Sequence, residues 1–457
     1  MVLVLLLIVS VLFIVVSTVK FKFHPFLALI FAAIGFGLFA RMPLPIIAKS
    51  INDGFGGTIG SIGIVIIAGI IIGTFLERSG GAFAIAERIL KIIGQKHVPL
   101  AMAIIGYLIS IPVFADSSFV ILMPLNRALS KKAKISLVGP VVALAVGLTS
   151  THCLVPPTPG PIAAAGILGA DLGLVIFFGL FVAAFAVAVG WIFAVKFASK
   201  IYIDPNPELS EADIEARLKV APSAFKAFTP IILPMVLIVV KSVADFPTHP
   251  LGQDNLKSIV SFIGEPVIAL LIGVLFALRL PKKFEMQMLS TTGWVGQSLL
   301  DSALIIMVTG AGGAFGMVLR NSPIADVISG SLSKANLGIW LPFIIAASIK
   351  SAQSSSTVSL ITTASLMTPL ISSLGFETAI AKALVVSSIA AGAMVVSHAN
   401  DSFFWVITQM AKMDVKTGYK VHTLATLIIG VTSALAVWII RSRQDISAHE
   451  SSDLLCP

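Results

Sequence analysis

Long uninterrupted apolar stretches, separated by short polar loops, run along the whole chain. A helix needs about 20 apolar residues to cross a bilayer, and Val2–Val19, Val175–Val195 and Ile259–Leu278 each suffice. The alternating segments of an outer-membrane barrel are missing, because these runs are continuous. The pattern therefore predicts an all-α polytopic membrane protein. The first run starts at Met1 with no basic flank and no obvious small-residue cleavage site before Lys20, so it reads as a retained span.

Two stretches depart from this pattern. Tyr202–Lys226 is rich in Pro, Glu, Asp and Lys, and Ser210 with Asp213 has the spacing of a capping box for a short helix over Glu211–Val220. Arg441–Pro457 is polar and aperiodic, which predicts a disordered tail. The expected organisation is a first repeat with its N-terminal spans (1–200), a soluble linker (201–226), a second repeat (227–440) and the tail (441–457).

The halves are weakly alike, a pattern to look for in transporters. Thr74–Gly80 (TFLERSG), Phe114–Val120 (FADSSFV) and Thr151–Pro161 (THCLVPPTPGP) recur in order as Met317–Pro323 (MVLRNSP), Ala352–Val358 (AQSSSTV) and Ser397–Phe403 (SHANDSF). This register pairs Ser117 and Ser118 with Ser354 and Ser355, and His152 with His398.

Charge placement orients the repeats. Arg78, Arg88, Lys91 and Lys96 in one segment, and Arg127, Lys131, Lys132 and Lys134 in the next, are both cytoplasmic by the positive-inside rule. The apolar stretch between them, Val98–Leu125, must return to its starting side. It is expected to be a re-entrant helical hairpin with its tip at Pro112–Ser118. Counting on through the basic loop Arg279–Lys283, the second hairpin, Leu337–Leu370, opens to the opposite face, so the two repeats have inverted topology. Arg41, Lys49, Arg441 and Arg443 fall outside on this count. Ala82–Ile93 separates an apolar face from Glu87, Arg88 and Lys91 and reads as a helix lying on the inner leaflet.

Composition narrows the function. The chain is 57% hydrophobic and 12% charged, against roughly 25% charged for soluble domains, which excludes a soluble enzyme. The net charge of +9 is spread over short loops and is topological, so no nucleic-acid partner is expected. Cys153 lies in an apolar segment and Cys456 in the tail, so neither a disulfide framework nor a thiol metal site is suggested. No metal or cofactor is expected.

Ionisable residues at bilayer depth cost at least about 2.5–3.5 kcal/mol and usually face a cavity or a partner. Asp116, His152, His398 and Asp401 fall in the interrupted segments and are the candidates for carrying a coupling proton. A hydrogen-bonded core histidine is the commoner role for each His. Pro156, Pro157, Pro159 and Pro161 forbid a continuous helix through Thr149–Pro161. The hydroxyls of Thr149, Ser150, Thr151 and Thr158 gather at that break. The second half offers Gln353, Ser354, Ser355, Ser356 and Thr357 at a hairpin tip and Asn400 at a helix break. Such groups at helix ends can bind a carboxylate and sugar hydroxyls, or equally sodium. The competing readings are a Pro-kinked packed helix, serines that allow close packing, and, for Lys350, a snorkelling lysine as readily as a counter-ion. Substrate-binding candidates are thus Ser117, Ser118, Thr151, Thr158, Gln353, Ser354, Ser355, Ser356, Thr357 and Asn400. Asp301 is set aside as packed against Ser298 and Ser302 or facing a rim.

At Val19–Leu29 (VKFKFHPFLAL), Pro112–Leu125 (PVFADSSFVILMPL), His152–Gly173 (HCLVPPTPGPIAAAGILGADLG), Thr309–Phe315 (TGAGGAF) and Ser397–Trp405 (SHANDSFFW), the sequence resembles the gluconate permease family. The likeness spans nearly the whole chain. It implies a gluconate:proton symporter in the bacterial inner membrane, with carriers of D-serine and other hydroxy acids among the relatives. The run from His152 to Pro161 looks more like the gluconate-type members. Ala352–Thr357 and Asp116 depart from the family pattern, which keeps a D-serine or other small-carboxylate carrier, proton- or sodium-coupled, as the alternative. The resemblance also implies a broader ion-transporter fold in which a mobile domain moves against a scaffold, with Ile231–Lys241 and Ile259–Leu278 in the scaffold and at a homodimer contact. An intramembrane hydrolase is the remote rival, since no H-E-x-x-H or G-x-S-x-G motif occurs. A passive channel is a third reading, argued against by the broken helices.

Overall fold

A computed structural model describes residues 2–94, 97–205, 221–245, 255–323, 337–353, 355–398 and 401–453, and among them every regular element is helical. The first half contains α1 (Val2–Val19), α2 (Pro25–Phe39), α3 (Leu44–Arg78), α4 (Gly81–Ile93), α5 (Val98–Ile109), α6 (Ala115–Lys132), α7 (Val138–Leu154), α8 (Pro159–Leu168) and α9 (Leu172–Lys196). The second contains α10 (Ala224–Ala244), α11 (Asn255–Ile263), α12 (Pro266–Ala277), α13 (Trp294–Arg320), α14 (Trp340–Gln353), α15 (Ser356–Met367), α16 (Ala379–Ala393), α17 (Ser402–Met410), α18 (Val415–Gly418) and α19 (Leu424–Asp453). A π turn, Tyr419–Thr423, joins α18 to α19.

Six of these helical stretches are long and apolar enough to cross a membrane, or seven if α11 and α12 count as one bent span. The bend, 62°, falls within the apolar run Ile259–Leu278. Gly264, Glu265 and Pro266 interrupt the run, and Pro266 opens α12 where its missing N–H costs nothing. α19 runs on past Arg441 to Asp453. The capping box at Ser210 and the helix at Glu211–Val220 lie outside the described residues.

Two long helices form the spine. α3 and α13 pack along each other through Gly54 and Gly313, where a Cβ on Gly54 would come within 2.8 Å of the Ala314 Cα and one on Gly313 within 2.6 Å of the Gly54 carbonyl oxygen. Small residues allow this backbone-to-backbone approach. The core helices are α7 and α16. Every residue of α7 except His152 is buried, the signature of a helix apolar on all faces. The outward faces carry Phe177, Phe181 and Phe185 on α9, Val236 and Val240 on α10, and Leu271 and Leu275 on α12, all exposed and suited to lipid. α4 buries Phe83, Ile85, Ala86, Ile89 and Leu90 while Arg88, Lys91 and Ile92 stay outside.

The packing is reciprocal between halves. α5 packs on α7 as α14 does on α16, α7 on α9 as α16 on α19, α1 on α2 as α10 on α12, and α2 on α13 as α12 on α3. The same exchange holds for shorter pieces, with α8 against α15 and α17 against α6.

Candidate functional site

Four helices start beside breaks in the apolar pattern. α5 and α6 are separated at 110–114, α7 and α8 at 155–158, α14 and α15 around 354–355, and α16 and α17 at 394–401. Two physical causes are at work. Pro112 removes a backbone donor at the first break, and the prolines from Pro156 onward do so at the second. Ser355 ends the third by capping α15, its Oγ accepting from the Val358 N–H at 3.3 Å. Asp401 ends the fourth by capping α17, its Oδ1 accepting from the Phe403 N–H at 3.0 Å.

Residues from all four of these interrupted helices meet around one cavity of about 220 Å³. Asp116, at the start of α6, lines it together with Phe114. Thr149, His152 and Cys153 come from the end of α7, Ser355–Thr357 from the start of α15, and Ser397, Asp401 and Ser402 from the last break. Lys350, on the last turn of α14, completes the wall. α8 adjoins this wall, since a Cβ on Gly160 would sit 3.7 Å from the Thr357 Cα. Three helix N-termini (α6, α15, α17) thus face the cavity, and such ends attract anions.

The charges are arranged unequally. Lys350 is 2% exposed, and its Nζ donates to Asp401 Oδ2 at 2.7 Å. Ser397 Oγ donates to the same oxygen at 2.7 Å. Asp116, by contrast, is exposed and forms no ion pair with the described residues. His152 rests against the Phe114 ring, with centroids 5.9 Å apart, and its buried Nδ1 has no hydrogen-bond partner among them. Thr149 Oγ1 is unpartnered in the same way.

The sequence candidates divide. Asp116, His152, Ser355, Ser356, Thr357 and Asp401 come together at this cavity. Ser117 instead lines a separate cavity of about 130 Å³ with Glu77, Arg78 and Asp301. Ser118 is buried beside the break with its hydroxyl unpartnered. Thr151 Oγ1 bonds back to the Gly147 carbonyl at 3.1 Å, and Thr158 Oγ1 to the Val155 carbonyl at 2.6 Å, so both hydroxyls are spent on their own backbone. His398 donates from Nε2 to the Ser351 carbonyl at 2.9 Å, tying the last break to α14. Ser354, Asn400 and the Gln353 side chain lie outside the described residues. Lys350, evenly weighed from sequence, proves buried and paired. Among the described residues, no cluster of three His, Cys, Asp or Glu could hold a metal.

A larger cavity of about 380 Å³ lies at the far ends of α8 and α15, lined by Asp53, Thr58, Gly169, Arg320, Thr368 and Lys382 among others. Helices of 10 and 12 residues place it about 15–18 Å from the central one.

A model of the GntP family permease matches residues 1–442. The chain belongs to the GntP permease family. This GntP permease is 33% identical to a gluconate permease of Pseudomonas aeruginosa over 438 residues, covering 94% of this chain and 96% of that one. It is 32% identical to the inner membrane permease YgbN of Escherichia coli K12 over 450 residues, covering 94% and 96%. Its fold is similar to the crystal structure of the Alcanivorax borkumensis YdaH transporter, with a TM-score of 0.60, 15% identity and coverage of 87% and 89%. The permease is a multi-pass protein of the inner membrane.

Proposed function

We propose that this permease is a secondary active transporter that imports gluconate or a related sugar acid together with protons. The observation that carries the reading is the meeting of four helix interruptions at one small polar cavity. At about 220 Å³ it is smaller than the roughly 300–1,000 Å³ of drug-sized ligand clefts, which suits a small solute. Three helix N-termini and Lys350 favour a carboxylate, while Thr149, Ser355, Ser356, Thr357 and Ser402 offer hydroxyls to a polyol chain. Asp116, His152 and Asp401 are the groups at hand for a coupling proton. The gluconate permease among the relatives supports the same substrate class.

Alternating access would come from two inverted repeats, each with a re-entrant hairpin (α5–α6 and α14–α15) and a broken helix (α7–α8 and α16–α17). The reciprocal packing of the halves supports an internal two-fold relation. The exchange is incomplete in one respect that bears on mechanism. α8 and α15 pack on the spine helices α3 and α13, whereas their counterparts pack elsewhere, α17 on α6 and α6 on α7 and α17. Unequal docking of two like halves is what a carrier caught facing one side would display. The cavity with Arg320 and Lys382 would serve as a vestibule on one side, and the one with Arg78 and Asp301 on the other.

The test is uptake of labelled gluconate, other aldonates and D-serine into proteoliposomes under an imposed pH gradient, with a sodium gradient as the parallel arm. Accumulation of an aldonate driven by the pH gradient is expected. Accumulation of D-serine alone, or drive by sodium alone, would replace the substrate or the ion, and failure to concentrate any of them would end the transporter reading.

A further inference from the structure

One buried ionisable residue has no part in the cavity wall. His422, in the π turn, is 1% exposed and lies beside the rings of Phe403 and Phe404, with centroids 5.7 and 6.3 Å away. Its Nε2 is 3.1 Å from Ser397 Oγ, and Ser397 Oγ in turn donates to Asp401 Oδ2. A serine hydroxyl has a single hydrogen. Since that hydrogen is spent on Asp401, His422 must donate from Nε2–H to Ser397, which leaves Nδ1 as a lone-pair acceptor. Nδ1 is buried and has no partner among the described residues. An unmatched buried acceptor costs about 1–3 kcal/mol, and it sits in a π turn, an irregularity frequent at functional sites.

We propose that His422, behind the cavity wall, loads the coupling proton onto Asp401 through Ser397. This rests on the proton-coupled reading above and specifies its path. A proton arriving at Nδ1 makes the imidazolium. Nε2–H then passes its proton to Ser397 Oγ as the Ser397 hydroxyl proton moves to Asp401 Oδ2. The products are a neutral imidazole protonated at Nδ1, an intact Ser397 hydroxyl and a neutral Asp401 acid. Lys350 thereby loses its counter-charge at the cavity wall, and the substrate carboxylate becomes the replacement partner. Proton loading before substrate binding follows from this order.

The other titratable or charged groups around this chain are few. Asp401 and Lys350 face it through Ser397. His152 stands on α7, which packs against the π turn. Asp414, Lys416, Tyr419 and Lys420 belong to its own helical segment, and Arg441 and Arg443 lie far along α19.

The test uses the full chain in proteoliposomes and compares two assays with labelled gluconate. Counterflow exchanges substrate without net proton movement, while pH-gradient-driven uptake requires it. For His422→Gln, counterflow should stay near the wild-type rate while gradient-driven uptake falls by about a hundredfold, the scale of a lost proton-transfer group. Ser397→Ala should lose gradient drive as well, and Ser397→Thr, which keeps the hydroxyl, should recover it. Wild-type gradient drive in both His422→Gln and Ser397→Ala would overturn the relay alone, as would equal loss of both assays in His422→Gln together with failure of Ser397→Thr to recover. A wild-type protein that exchanges gluconate but ignores the pH gradient would overturn the proton-coupled reading and the relay with it.

Discussion

The two halves reach the cavity by different means. In the first half, both breaks are held by shape. Gly73 and Gly69 on α3 admit the Pro112 and Pro157 carbonyls so closely that a Cβ at Gly69 would stand 2.7 Å from the Pro157 oxygen. The polar groups beside those breaks, Ser118 Oγ, Thr149 Oγ1, Ser150 Oγ and His152 Nδ1, have no partner among the described residues. In the second half, the break is held by charge, through Lys350, Asp401, Ser397 and His422 in one hydrogen-bonded chain. Two segments of weakly similar sequence therefore differ in build: beside its breaks the first leaves hydroxyls and an imidazole nitrogen unpartnered, while the second links an ammonium, a carboxylate, a hydroxyl and an imidazole in one chain.

The largest effect is expected from cutting the wired half. Replacing Lys350 by Met removes the cation beside a buried carboxylate, and Asp401→Ala removes the carboxylate beside a buried ammonium; breaking one partner of such a pair costs about 3–5 kcal/mol. Both variants should melt far earlier in detergent and lose uptake. The double variant, Lys350→Met with Asp401→Ala, removes both charges and should recover most of the stability without recovering transport, because exchanging a buried pair for apolar groups is often nearly neutral. A double variant as unstable as the singles would show that the pair is not what holds the break. Recovered transport in the double variant would remove both residues from the coupling chain.

A smaller effect tests the shape-held half. Gly69→Ala places a methyl against the Pro157 carbonyl, 2.7 Å away, and against the Pro157 Cβ at 3.3 Å. A backbone carbonyl in a break has little room to retreat, so overpacking of about 1–3 kcal/mol is expected. Thermal denaturation should register it, and gluconate should protect the variant less than the wild type, since ligand stabilisation follows affinity by mass action. An unchanged melting temperature would mean that α3 does not grip the break.

Much of this arrangement is legible in the residues themselves, because breakers announce helix ends locally. Pro112 and the prolines from Pro156 fix where α5 and α7 stop, and SHANDS marks the gap before α17. Gly264, Glu265 and Pro266 carry the same kind of signal within a run that reads as a span on apolar length alone. Partners remote in sequence leave no such trace. Asp401 lies 51 residues from Lys350, so spacing gives no way to choose between snorkelling and pairing. His422 stands among other polar residues, Lys420, Thr423 and Thr426, in a helical stretch without proline, and its partner Ser397 lies 25 positions earlier. Thr151 and Thr158 show the reverse: their hydroxyls look available at a break, yet each donates to a carbonyl within one turn.

The smallest expected effect separates ligand contact from packing in the first half. Ser118 is fully buried beside the first break, with its hydroxyl unmatched. If that hydroxyl serves only to keep the helix slim, Ser118→Ala removes an unsatisfied polar group, and stability should hold or rise slightly, by up to about 1 kcal/mol. Transport would then be untouched. If a substrate carboxylate or a bound water claims the hydroxyl during the cycle, stability should again hold, but the gluconate KM should rise by about tenfold, the worth of one hydrogen bond to a charged group. Melting temperature and KM measured on the same variant distinguish the two, since only a ligand contact moves the second while sparing the first. A fall in stability instead would place an undetected partner on Ser118 and remove it from the set of groups left open for the solute.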